Sequence, residues 1–362
     1  MSALQESRSA LVFAAPPPPL GGIASIVQML QSGLAAHAGV HFGAPIPKLQ
    51  QAGRSFYRPV RNLCRLVASA LRVPRGSRVL MFSSAGLSFY EKMLWAVLVL
   101  MLQRKPVIAM VDGNFPDFWQ RQSAGAQWLA RGILHAKALR IGVQSAGWAD
   151  VYRGMFPRAD VQVFAATVRE QFWQTMPASS RRAGQVLYVG WMIPEKGLLD
   201  LLDAFVQVRQ AVPDARLRLV GPLFGGEVFW RDQVQARDLT ASVDVVGPIH
   251  GYAALVQELS TASVFVLPSH AEGMPVAMLE AMALGVPCVG TRVGAIPDML
   301  EQGAAGCVVP PRAPQELAEA LRQLLLDTPL AQRLGQAAFA RARASYSKDA
   351  FSRSFLKLLD IA

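Results

Sequence analysis

Short apolar runs alternate along the chain with longer stretches whose apolar residues recur at three- and four-residue spacing. Unbroken apolar runs of strand length suit a parallel sheet covered on both faces, and the longer period is that of the covering helices. In the first half this pattern predicts strands at 10–15, 79–83, 106–111, 138–143 and 161–164, with helices over 23–34, 88–102 and 124–136. In the second half it predicts strands at 185–189, 217–220, 243–246, 264–267, 287–290 and 307–309, and helices over 198–211, 252–261, 275–284 and 314–327. The series restarts after the polar stretch Thr175–Ala183. The expected fold class is therefore α/β with two Rossmann-like domains, 1–176 and 177–346. A terminal amphipathic helix, 347–362, places Phe351, Phe355, Leu358 and Leu359 on one stripe.

Composition fits that division. A chain of 362 residues suits two α/β domains of roughly 150–180 residues each, and 52% hydrophobic residues exclude a disordered chain. Cys64, Cys288 and Cys307 stand far apart without histidines at metal-ligand spacing, so neither a disulfide framework nor a zinc site is expected. The first ten residues are polar, unlike a signal peptide. The longest apolar run, Met93–Leu102, is shorter than the roughly 20 residues that span a bilayer and reads as a buried helix. A net charge of +11 attracts polyanions without choosing among nucleic acid, phosphorylated substrates and anionic membrane. Arg54, Arg58, Arg61, Arg65 and Arg72 recur at helical spacing, and from Pro59 onward read as the ridge of an amphipathic helix. That ridge is either a solvated face or a docking surface for an anionic membrane.

Candidate chemistry concentrates in LPSHAEGMPVAMLEAMA, residues 267–283. Glu272 and Glu280 flank the turn Gly273-Met274-Pro275, and proline suits the first turn of the helix that follows. The open backbone N–H groups of a helix start favour phosphate or sugar oxygens, and carboxylates accept bonds from vicinal hydroxyls. A nucleotide-sugar, with sugars on either side of a diphosphate, has that chemistry. In VGWMIPEKGLLDLL, residues 189–202, Gly190 ends a strand and Lys196 precedes a helix, where an ammonium can face a diphosphate.

The order VGWxxPEKG, LVGP, VVGPI, VFVLPSxxEGMPVAMLEAMA, GVPCVGTRVGAIPDML and GCVVPP resembles the family-four retaining glycosyltransferases over Leu187–Leu326. The resemblance implies a GT-B fold, two Rossmann-like domains facing a central cleft, with the terminal helix returning to the first domain. It implies that Lys196 contacts the donor diphosphate, Glu280 the ribose hydroxyls and Glu272 the transferred sugar. Gly273, Met274 and Pro275 would hold sugar and phosphate, and Val308 would lie near the base.

Two departures stand out. Where the family usually carries arginine, this chain has Trp191, which offers one N–H and an aromatic face in place of a cation. Another cation, Arg292 or an arginine of the first domain, would then assist Lys196. In the looser first half, Gly21 and Gly22 resemble the family's glycine loop at the donor phosphates. The segment VIAMVDGNF resembles the strand ending in a histidine, with Asp112 in that histidine's place. His270, two residues before Glu272, reads as a loop residue.

The expectation is a retaining transferase using a UDP- or GDP-sugar, with Glu272, Lys196 and Asp112 as its catalytic group and no metal or other cofactor required. Its acceptor would be a lipid-linked or saccharide hydroxyl, and its location cytoplasmic, peripheral at the inner face of the membrane. Competing readings are an epimerase or phosphorylase on the same scaffold, a non-catalytic scaffold of polysaccharide assembly, and a nucleic-acid-binding protein. The last lacks arginines interleaved with aromatics, so nucleic acid is not the expected partner.

Overall fold

The computed structural model describes residues 9–14, 22–34, 37, 39–44, 58–175 and 181–361. They form two compact units, 1–167 with 348–362 and 168–347. The division falls before the expected 176/177 because the short helix following Arg169 packs on helices of the second unit.

The first unit contains β1 (Ala10–Phe13), α1 (Gly22–Leu34), β2 (Val40–Gly43), α2 (Arg58–Leu71), β3 (Arg78–Ser83) and α3 (Leu87–Met101). It continues with β4 (Lys105–Met110), α4 (Phe115–Gln120), α5 (Ala124–Leu134), β5 (Arg140–Val143), α6 (Ala146–Met155) and β6 (Asp160–Val163). Its sheet has the order β2-β1-β3-β4-β5-β6, with all strands parallel. Parallel neighbours require crossovers, which is why helices separate the strands. Ser123 and Ser145 cap α5 and α6 by accepting from the amides of Ala126 and Trp148 at 3.3 and 3.2 Å.

The second unit contains α7 (Glu170–Gln174), β7 (Arg182–Val189), α8 (Leu198–Ala211), β8 (Arg216–Val220), α9 (Gly226–Gln235), β9 (Val243–Gly247), α10 (Tyr252–Thr261) and β10 (Ala262–Leu267). It ends with α11 (Val276–Ala283), β11 (Cys288–Thr291), α12 (Ile296–Met299), β12 (Cys307–Val309), α13 (Pro314–Leu326) and α14 (Thr328–Tyr346). This sheet is also parallel, in the order β12-β11-β10-β7-β8-β9. The chain steps outward from β7 to β9, then restarts on the other side of β7 with β10. Strands β7 and β10 are thus neighbours whose following loops turn to opposite faces, the switch point at which open α/β sheets bind ligands.

The chain closes with α15 (Lys348–Leu358), which belongs to the first unit and packs on α1. Phe351, Phe355, Leu358 and Leu359 join Val12, Ile26, Leu30 and Leu80 in one buried cluster. Arg140 bonds Asp160 and Asp360 at 2.7 and 2.8 Å, and Arg78 bonds Asp360 at 2.8 Å, clamping the end of this helix.

The run Met93–Leu102, expected to be buried, is buried on one side only. In α3, Phe89, Met93, Ala96 and Val99 face the sheet, while Leu94 and Met101 are exposed.

Candidate functional site

The site is built where β7, β8 and β10 end. The amide of Gly190 donates to Val220 at 2.9 Å and that of Gly221 to Gly247 at 2.8 Å, which draws the strand ends together. A Cβ at Gly221, where φ is +141°, would lie 1.9 Å from the carbonyl oxygen of Gly190, so glycine is obligatory there. The carbonyl of Trp191 accepts from the buried Tyr188 hydroxyl at 2.8 Å. Burial, with the nearby charge of Glu272, holds this phenol above its ordinary range.

Beyond Met192 the chain makes one tight turn, Pro194–Lys196, and Gly197 at φ +64° opens α8. A Cβ on Gly197 would stand 2.1 Å from the carbonyl oxygen of Pro268. That clearance lets the loop after β10 lie directly on this turn. Its anchor is the His270 amide, which donates to the Glu195 carbonyl at 2.8 Å. The His270 ring meets Asp200 of α8 at 2.7 Å.

Glu272 is therefore delivered to Lys196. The Lys196 ammonium donates to Oε1 of Glu272 at 2.6 Å, and the Ser269 hydroxyl donates to the same oxygen at 2.7 Å. Glu272 is only 8% exposed, so its charge is stabilised by these two donors rather than by water. Thr291 on β11 donates to the Ser269 carbonyl and holds the loop from the other side. Gly294, at φ +56°, lets the next loop approach: a Cβ there would be 2.0 Å from the Glu272 carbonyl oxygen, and Ala295 donates to Gly273 at 3.0 Å.

Pro275 occupies the position just before α11, and Met274 is buried beside it. Glu280 lies inside α11 and is 8% exposed. Burial pushes its carboxyl up to about 8, and the charge of Arg169 opposes that rise. Arg169 also lies over the ring of Tyr252 at 4.1 Å, at the start of α10. Val308 sits at the edge of the sheet, paired with Gly290 of β11.

Of the expected residues, then, Lys196 and Glu272 touch directly, while Glu280 is set on the helix that follows Glu272. Trp191 lies on Phe224, with ring centroids 5.1 Å apart and planes at 27°. Both rings are about half exposed, and Arg292 is exposed at the end of β11. Gly21 lies outside the described residues, and Gly22 is the first residue of α1. In the first unit, Asp112 accepts from the amides of Ala85 and Asn114, both at 2.8 Å, and so joins the loops after β3 and β4. Sequence reading passed over Ser269, Asp200, Tyr188 and Arg169. The first could have been found from its place three residues before Glu272, but nothing in the motifs points to Arg169.

The paired parallel sheets define the class: this is the GT-B fold of glycosyltransferases. Over 97% of the chain the fold matches sucrose-phosphate synthase from Thermosynechococcus elongatus, with a TM-score of 0.75, 21% identity and 98% of that chain covered. HepE of Anabaena, solved with UDP-glucose, matches over 98% of this chain and 100% of its own, at TM-score 0.75 and 16% identity.

Residues 173–341 match the family described as glycosyl transferases group 1. Glycogen synthase of Mycobacterium tuberculosis is 31% identical over 175 residues, 47% of this chain and 42% of the relative. D-inositol 3-phosphate glycosyltransferase of Thermobifida fusca is 28% identical over 201 residues, 52% of this chain and 45% of the relative. The chain matches less than half the length of each of these two relatives.

Proposed function

We propose that this chain transfers a sugar, with retention at the anomeric carbon, from a UDP- or GDP-sugar to a hydroxyl of a lipid-linked or saccharide acceptor. The observation that carries this reading is the meeting of Lys196 and Glu272 at the switch point of the second sheet. A cation beside a strand end suits the diphosphate, and a carboxylate held at the start of the next helix suits sugar hydroxyls.

As the bond from the anomeric carbon to the diphosphate breaks and the bond to the acceptor oxygen forms, negative charge grows on the departing phosphate, whose oxygen takes the proton that the acceptor hydroxyl gives up. Lys196 and the positive end of α11 stabilise that charge, which is electrostatic preorganisation. Glu272 orients the transferred sugar and Glu280 takes the ribose hydroxyls. In the first unit, Asp112 acts as a positioning residue for the loops it joins. No step assigns work to a metal. Several relatives carry names that fit such chemistry, including a putative colanic acid biosynthesis glycosyltransferase of Salmonella typhimurium. A surface polysaccharide or glycolipid is the corresponding product here, made at the inner face of the membrane with peripheral contact to it.

The test is release of nucleoside diphosphate from UDP-glucose and GDP-mannose in the presence of saccharide and lipid-linked acceptors. Lys196→Ala, Glu272→Ala and Glu280→Ala should each lower transfer about tenfold or more while circular dichroism stays native. Near-normal rates in all three would overturn the assignment. The tryptophan at 191 favours a second reading, a non-catalytic scaffold. Binding of nucleotide-sugar without turnover of any acceptor identifies that case.

A further inference from the structure

One face of the first unit is apolar where a water-facing surface should be polar. Its helices α2, α3 and α5 follow β2, β3 and β4, and each crossover steps in the same direction across the sheet. Right-handed crossovers place such helices side by side on one face. Contacts of α2 with α3 and of α3 with α5 agree with that.

Helix α3 buries one stripe and exposes another that is almost as apolar: Leu87, Tyr90, Leu94 and Met101. Leu87 is 88% exposed and Met101 73%. Next to it, α5 exposes Trp128 (77%) and Leu129. A helix apolar on both sides is not a solvated surface helix. Large exposed apolar groups gathered on one surface mark a contact with something else.

The charge on the same face selects the partner. Helix α2 exposes Arg61 and Arg65, with Arg72 and Arg75 exposed just after its end, and Val60 and Leu71 are exposed beside them. The chain has no aspartate or glutamate from Ser7 to Tyr90. Beside the patch, Glu91 pairs with Lys92, and Asp117 on α4 is the exposed acid nearest in sequence to α5. A second copy meeting this face symmetrically would bring arginines against arginines. A nucleic acid would satisfy the arginines but leave the leucines and methionine wet. An anionic bilayer satisfies both: headgroups meet the arginines while leucines and a tryptophan enter the boundary with the acyl chains.

The geometry points to α2, α3 and α5 as an anionic-lipid docking surface, with Trp128, Leu129, Leu87 and Leu94 inserted and the arginines of α2 at the headgroups. This gives the membrane contact proposed above a definite surface, yet it does not depend on the donor site, which lies in the other unit.

Co-sedimentation with vesicles of phosphatidylcholine alone, or mixed with phosphatidylglycerol, tests it on the full chain. The wild type should bind the mixed vesicles, release them as salt rises, and leave the neutral ones in solution. Trp128→Ser with Leu129→Ser should weaken binding about tenfold or more. Arg61→Gln with Arg65→Gln should also weaken it, by about fivefold for each arginine. Both variants change exposed side chains, so an unchanged melting temperature and unchanged nucleotide binding separate this result from failure of the transferase reading. Binding of the two vesicle types alike, binding of neither, or variants that bind like the wild type would overturn the proposal. So would a dimer that the Trp128/Leu129 variant abolishes in place of vesicle binding.

Discussion

Lys196 and Glu272, 76 positions apart in sequence, meet at 2.6 Å because β7 and β10 are neighbours at the switch point of the second sheet. The segments that carry them are also joined beside the pair: the turn of Lys196 accepts the His270 amide, and Ser269 of the same loop donates to Glu272. Removing Lys196 leaves a buried carboxylate with one neutral donor. A double-mutant cycle of Lys196→Ala and Glu272→Gln should give a coupling of about 1–3 kcal/mol in chemical unfolding. Additive effects would show that the pair is not formed in solution.

Glu280 gives the second unit a pH dependence. Its folded-state carboxyl lies near 8 against an ordinary 4.5, so between those values the folded state holds a proton that the unfolded state has lost. Stability contributed by the protonated group is then complete below about 4.5 and declines as pH rises toward 8. Melting temperatures from pH 5 to pH 8 should fall more steeply for the wild type than for Glu280→Gln. Parallel profiles would remove Glu280 as the source.

Trp191 is a surface ring stacked on Phe224, and nothing about its backbone position demands tryptophan. Trp191→Arg forfeits a stacking contact worth about 0.5–1.5 kcal/mol but places a cation on the donor side of β7. Calorimetric titration with UDP or GDP should show affinity raised about tenfold. Unchanged affinity would mean that position 191 does not face the phosphates.

Gly294 has both positive φ and a clash, with the Glu272 carbonyl 2.0 Å from any added Cβ. Gly294→Ala should cost about 2 kcal/mol or more and also reduce nucleotide affinity, because the loop bearing Glu272 must move. Gly303→Ala, at φ +115° with no atom within 4 Å, should cost stability alone. Equal behaviour of the two would argue against the contact.

Parallel strands were the legible part of this fold. All six strands of the second sheet were readable because each carries a short β-branched or leucine-rich stretch, as were Lys196, Glu272 and Glu280, which stand in dense motifs. Strand β2 was not, since VHFG is short and mixed in polarity. Helix α14 escaped notice because Gly335 and several arginines interrupt its period. That glycine is explained only in three dimensions, where a Cβ would lie 2.4 Å from the Gly285 carbonyl oxygen. The tie from Asp200 to His270 likewise joins residues distant along the chain, which no periodicity discloses.

The central claim is a nucleoside-diphosphate site in the second unit that depends on Lys196. Thermal shift of wild type and Lys196→Ala, each with UDP and with GDP, tests it most directly. A ligand at about a hundred times its Kd stabilises the folded state by about 2.7 kcal/mol. One of the two nucleotides should raise the wild-type melting temperature clearly and the variant's little. No shift in the wild type with either, or an undiminished shift in the variant, would contradict the account.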